Sequence, residues 1–231
     1  MSGSFVSPEL RQRVRGAATP IAAGFGRLGL TPNHLTLIGF GVAVVGAVAA
    51  AQGAWLAAGI LLIVGGVFDL FDGALARATG QASRLGAFMD SVFDRAGEGV
   101  VYVGIAAGCV AAGFGAGAVL SAGAMTAAFM VSYVRAKSES LGFTAGSRMA
   151  AVGLAPREVR LVILTVGLLV TGIAGGVRVI DDPTLLVSYD AWGSGRWALA
   201  AALGLITILA TITTIQRIVH VIGQPSSKEH E

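Results

Sequence analysis

Charge is what this sequence has least of. Only 13% of its 231 residues are Asp, Glu, Lys or Arg, about half the share of a soluble domain. With a mean hydropathy of +0.77, that scarcity excludes an ordinary soluble enzyme. The net charge of +3 is small, so the basic residues report on topology and anionic ligands, and nucleic acid is not an expected partner. There is one cysteine, Cys109, in an apolar run. It cannot form an internal disulfide and reads as packing. The three histidines, His34, His220 and His230, have no partners at metal-ligand spacing, so none is assigned a ligand role. No internal repeat is visible. The first 30 residues lack a compact apolar core before a cleavage site, so no cleaved signal peptide is expected.

What is present is apolar length. Hydrophobic residues make up 55% of the chain, and there are 34 glycines. Six apolar segments run over about 35–51, 54–71, 85–112, 116–134, 159–175 and 197–221. Each is close to the roughly 20 residues that cross a bilayer as a helix. The fold expected is an all-α integral membrane protein of six transmembrane helices. Abundant Gly and Ala then serve close helix packing, where no hydrophobic drive separates helix from lipid. Before these segments, Arg11, Arg13, Arg15 and Arg27 lie among Leu10, Val14, Ile21 and Phe25 over residues 8–30. That pattern predicts an amphipathic helix on the membrane surface, divided at Pro20. The whole chain reads as one domain: interfacial helix and turn over 1–30, six-helix bundle over 31–222, tail over 223–231.

The cations sort by connection. Arg77 and Arg84, then Arg135, Lys137, Arg148, Arg157 and Arg160, then Arg217 and Lys228 fall at alternate ends of the segments. The turns at 52–53 and 113–117 carry no charge. Arginine and lysine concentrate on the cytoplasmic side. Both termini are therefore expected in the cytoplasm, in the plasma membrane.

Against this apolar background, four carboxylates stand within 26 residues: Asp69, Asp72, Asp90 and Asp94. Asp69 and Asp72 are spaced i, i+3, and Asp90 and Asp94 i, i+4, so each pair shares one helix face. A break near Thr79-Gly80-Gln81 lets the second helix return beside the first. Four converging carboxylates repel unless a cation lies among them, and hard oxygen donors in that number suit Mg²⁺ or Mn²⁺. The competing reading is four unrelated, solvated aspartates. Ionisable residues at membrane depth are rare and tend to be functional. Glu98 extends the Asp90/Asp94 face by one turn in a supporting role, whereas Arg95 projects off it.

The run Asp69-x2-Asp72-Gly73-x2-Ala76-Arg77-x8-Gly86-x3-Asp90-x3-Asp94 resembles the signature of the CDP-alcohol phosphotransferases at every fixed position. The resemblance extends from Thr31-Pro32-Asn33 to Arg217. It implies a homodimeric membrane enzyme that moves a phosphatidyl group from a CDP-linked lipid to an alcohol and releases CMP. By the family pattern, Asp69, Asp72 and Asp90 hold one of two Mg²⁺ ions, and Asp69, Asp90 and Asp94 the second, with Mn²⁺ as the alternative metal. Asp94 is then also the general base, the one catalytic residue assigned. Gly73 leaves room for the CDP group, Gly86 permits close packing and Arg77 reaches the pyrophosphate. Ser83, Asn33 and Thr36 fall where relatives contact the nucleotide, although helix caps or turns explain these three equally well.

Five further cations, Arg135, Lys137, Arg157, Arg160 and Arg217, sit at three helix ends on the same side. They resemble the acceptor-phosphate site of the phosphatidylinositol-phosphate synthase branch, with Arg135 where lysine is usual. The implied substrates are CDP-diacylglycerol and inositol 3-phosphate. Glycerol 3-phosphate is the runner-up acceptor, since it too carries phosphate. A cation-binding transporter is the remote alternative, disfavoured by acids near a helix end and by the lack of repeat symmetry.

Overall fold

A computed structural model describes residues 20–22, 24–143, 152–177 and 195–224. Among them every regular element is helical. Six long helices are present: α1 (Pro32–Ala51), α2 (Trp55–Thr79), α3 (Arg84–Ala111), α4 (Gly115–Ser140), α5 (Arg157–Ile173) and α6 (Arg196–Ile222).

Their ends follow local chemistry. Thr31 and His34 form a capping box, in which each side chain bonds the other's backbone N–H, and Pro32 starts the first turn of α1. α2 runs past its apolar stretch through the whole acidic motif to Thr79. It stops at Gly80, whose φ of 66° is left-handed, and Gln81 N–H closes back on the Ala76 carbonyl at 3.1 Å. Ser83 then caps α3 by accepting from Gly86 N–H at 3.0 Å. This break turns the chain into α3, which does not lie beside α2 as expected but packs against α1, so that α1 stands between the two acidic helices.

Each helix has two principal neighbours, and the contacts close a ring in the order α2, α1, α3, α4, α6, α5 and back to α2. α1 and α3 approach backbone to backbone: a side chain at Gly104 or Gly108 would strike the carbonyls of Ala47 or Ala50. Around the outside, large apolar side chains such as Val45, Ile60, Val103, Val119, Ile173 and Ile208 are exposed, the surface expected of helices solvated by lipid.

Four helices are long and apolar enough to cross a membrane: α1, α2, α4 and α6. α3 and α5 fall outside that set for physical reasons. α3 carries Asp90, Asp94, Arg95 and Glu98 within its span, and α5 has 17 residues, about 25 Å. Most of the amphipathic segment expected over 8–30 lies outside the described residues. The part described is helical at 20–22 and 24–27. Ala22 is buried against Leu35, Ala74 and Leu75, and Phe25 meets Phe71 at 5.6 Å between ring centroids. The tail beyond 224 and Arg148 also lie outside.

Candidate active site

α2 ends and α3 begins at the same end of the ring as the start of α5. Three of the four motif aspartates face inward there, and each is held differently. Asp72 is buried and accepts a hydrogen bond from Thr36 Oγ1 of α1 at 2.8 Å. Asp69 Oδ2 accepts from Arg157 Nη2 at 2.8 Å, and Asp94 Oδ2 pairs with Arg157 Nη1, also at 2.8 Å. Asp90 is half-buried at the mouth, within electrostatic range of Asp69, Arg157 and Arg95. Mutual repulsion among the acids is thus relieved by a guanidinium from a helix 60 and more residues away in sequence. Among the described residues no three of these carboxylates close on a common point. Arg157 stands between Asp69 and Asp94 instead.

The donor set still fits a hard divalent cation. It is made of carboxylate oxygens alone, one of them already oriented by Thr36, and Gly39 and Gly73 leave the helix backbones bare beside it. A side chain at Gly39 would come within 3.2 Å of Asp69 Oδ1, and one at Gly73 within 3.3 Å of Arg77 Nη1. Asn33, Ser83 and Gly86 also meet, since a side chain at Gly86 would lie 3.2 Å from Ser83 Oγ and 3.4 Å from Asn33 Oδ1. Of the residues expected at the nucleotide, Ser83 serves as a helix cap here. Thr36 orients a carboxylate, a role its sequence position did not suggest.

Beside the acids opens a cavity of about 710 Å³. Asp90, Asp94, Glu139 and Glu158 line it together with Arg95 and four further arginines, Arg135, Arg157, Arg160 and Arg217. These four are not equivalent. Arg135 pairs with Glu139 one turn along α4 at 2.8 Å and is half-exposed. Arg217 is buried, donating to the Val131 and Val152 carbonyls at 2.7 and 3.0 Å. Arg160 turns into the core, where it makes a two-pronged bond to Glu98 at 2.8 and 2.9 Å and a third to the Ala155 carbonyl at 3.0 Å. Its guanidinium therefore faces a carboxylate, which departs from the expectation of a phosphate ligand. Lys137 is not brought to this cavity. It borders a separate apolar pocket of about 190 Å³ with Tyr133, Leu141 and Ile218.

Two features escaped the sequence. Arg95 was expected off the Asp94 face, yet it lines the cavity, with Nη1 3.9 Å from Asp94 Oδ2. Its long stem reaches round the helix in a way that face counting ignores. The loop before α5 is tied down by Thr213, whose hydroxyl accepts from both Leu154 and Ala155 N–H at 3.0 and 2.9 Å. That tie sets where Arg157 begins its helix, and a lone threonine in an apolar helix carries no signal of it.

Comparisons with known proteins identify the family. The sequence profile of the CDP-alcohol phosphatidyltransferases matches residues 29–224. An archaetidylinositol phosphate synthase of Pyrococcus horikoshii is 34% identical over 172 residues, covering 74% of this chain and 87% of the relative. A phosphatidylinositol phosphate synthase of Cutibacterium acnes is 36% identical over 206 residues, covering 87% and 90%. Among solved structures, the phosphatidylinositol phosphate synthase of Mycobacterium tuberculosis with CDP-DAG bound superposes with a TM-score of 0.74 at 27% identity, covering 93% of this chain and 98% of that one. The same enzyme in complex with manganese and citrate gives 0.74 at 26%, covering 93% of each chain. The chain is an enzyme of the CDP-alcohol phosphatidyltransferase family.

Proposed function

We propose that the protein transfers the phosphatidyl group of CDP-diacylglycerol to D-myo-inositol 3-phosphate, giving phosphatidylinositol phosphate and CMP. The observation that carries this reading is one cavity lined both by the motif carboxylates Asp90 and Asp94 and by Arg135, Arg157 and Arg217. The acids suit a pyrophosphate held through cations, and the arginines suit an acceptor that brings its own phosphate. The name of the C. acnes relative points the same way, and that of the P. horikoshii relative points to the same inositol phosphate acceptor with an archaetidyl lipid.

In this reading a hydroxyl oxygen of the acceptor attacks the lipid-side phosphorus of CDP-diacylglycerol. A new P–O bond forms, the bond to the CMP phosphate breaks, and CMP leaves with the electron pair. Asp94, at the junction of acids and cavity, takes the hydroxyl proton. Two Mg²⁺ or Mn²⁺ ions bound by Asp69, Asp72, Asp90 and Asp94 would supply charge neutralisation at the pyrophosphate. Thr36 orients Asp72, while Asn33, Gly73, Arg77 and Ser83 border the space for the CDP group. Arg135, Arg157 and Arg217 take the acceptor phosphate, with Arg160 behind them. The manganese in the M. tuberculosis structure supports a divalent metal here.

The bundle is proposed to span the membrane six times, α3 and α5 included, as a homodimer preceded by an interfacial helix. Both termini and the cavity then face the cytoplasm, as the arginine distribution supports. A cysteine at Ser227 is expected to react with an impermeant label only from inside, and one at Ser188 only from outside. The reverse pattern would refute the orientation. The activity is tested with purified protein, CDP-diacylglycerol and Mg²⁺, following CMP release with inositol 3-phosphate, glycerol 3-phosphate, inositol or serine. Release with inositol 3-phosphate alone is expected. Faster release with glycerol 3-phosphate would replace the acceptor but keep the reaction, and CDP-archaeol in a parallel arm tests the lipid tail.

A further inference from the structure

Arg157 faces two clients. Its Nη atoms hold Asp69 Oδ2 and Asp94 Oδ2 at 2.8 Å each, and the same side chain lines the cavity proposed for the acceptor phosphate. Its Nε is buried with no hydrogen-bond partner among the described residues. One turn on, Arg160 is locked to Glu98 and to the Ala155 carbonyl, so α5 itself is pinned against α3. Any change of partner by Arg157 must come from rotation of its own side chain. A guanidinium on two carboxylates and a divalent ion drawn to the same carboxylates compete for the same oxygens. An acceptor phosphate brought into the cavity can take the displaced guanidinium, by charge-assisted bonds of similar strength.

We propose that Arg157 exchanges the Asp69–Asp94 pair for the acceptor's phosphate, so that metal binding and acceptor binding reinforce each other. The inference rests on the proposed reading of the site, and adds to it a positioning role in which one side chain couples two ligands. The coupling is reciprocal by necessity: whatever factor the phosphate adds to metal affinity, the metal adds to phosphate affinity. Direct attraction between phosphate and metal would also couple them, but that part does not pass through Arg157.

The test reads binding, not turnover. Mn²⁺ affinity is measured by electron paramagnetic resonance on the full chain in detergent, for wild type, Arg157→Gln and Arg157→Ala. With the competing guanidinium gone, both variants are expected to bind Mn²⁺ about tenfold more tightly or better. In wild type, D-myo-inositol 3-phosphate is expected to tighten Mn²⁺ at least about fivefold, within the common range of coupling, whereas inositol does nothing. Glycerol 3-phosphate should act like inositol 3-phosphate, because the exchange needs only the phosphate. The phosphate effect should vanish or shrink strongly in both variants. Unchanged or weaker Mn²⁺ binding by variants that melt like wild type overturns the inference, as does a phosphate effect that is undiminished without Arg157. If both variants fail to fold, Arg157→Lys takes their place with the same expected and refuting results, and no tightening by either phosphate in wild type overturns the inference in any case. Failure of every form to bind Mn²⁺ would overturn the metal reading and this inference together, while tight Mn²⁺ binding indifferent to Arg157 removes the inference alone.

Discussion

The two ends of the helix ring hold cavities of similar size and opposite character. At one end about 710 Å³ is lined by nine charged side chains. At the other, about 800 Å³ between the α1–α2 turn and the ends of α3 and α5 is lined, among the described residues, by Gly, Ala, Trp55, Leu56, Val177 and the uncharged Gln52. Volume alone does not distinguish a site from a packing gap. What distinguishes them is the placement of charges that are costly to bury. At the charged end four acids have partners that offset the cost: Asp72 has Thr36, Asp69 and Asp94 have Arg157, and Glu98 has Arg160.

The largest way to break this contrast is to neutralise an acid. Asp90→Asn is expected to reduce CMP release below about a tenth of wild type, at least 1.4 kcal/mol in the barrier, with the melting temperature nearly unchanged because Asp90 is only half-buried. Retention of more than a tenth would remove Asp90 from the reacting cluster. Next comes the buried pair. Glu98→Leu leaves Arg160 charged, 1% exposed and unpaired, which should cost about 3–5 kcal/mol of stability. Adding Arg160→Met should restore most of that stability, since an apolar pair replaces a buried ion pair at little net cost. A double variant that melts as low as the single one would mean the pair contributes more than mutual neutralisation. The smallest effects compare the two cavities directly. Arg135→Ala should raise the acceptor KM by about tenfold and leave the CDP-lipid KM alone. Its half-exposed pair with Glu139 is worth at most about 1 kcal/mol of stability after solvent screening. Gln52→Ala at the other end should change neither KM by more than about twofold. A shift in substrate affinity there would give the apolar cavity a role in turnover.

Much of the charged end was legible in the chain because it is written in short spacings. The i, i+3 and i, i+4 aspartates, the break at Gly80 and the continuation to Glu98 all follow from helix geometry within one or two elements. The end of α2 was less legible, because its apolar stretch stops near Phe71 while the helix runs on to Thr79. The partners of the arginines were not legible at all. Arg157 and Arg160 differ by three positions and look alike in sequence, yet one bridges two aspartates at the cavity wall and the other is sealed against Glu98. That division depends on how α5 rotates against α2 and α3, which is set by contacts such as Gly172 against Leu56 and by the Thr213 tie on the preceding loop. Lys137 likewise shares a helix end with Arg135 but, two positions on, borders a different pocket.

The ring order has a consequence for biogenesis. The chain emerges α1 to α6, but α5 joins α2 only when the circle closes. Every motif aspartate is therefore synthesised some 60 residues or more before the arginines that neutralise Asp69, Asp94 and Glu98. Until α5 arrives, a nascent α1–α4 fragment carries Asp69, Asp72, Asp90, Asp94 and Glu98 on α2 and α3, without Arg157, Arg160 or Arg217 among them. Such a fragment is an assembly intermediate with its heaviest electrostatic debt still open, and the ribosome settles it only by delivering the fifth helix.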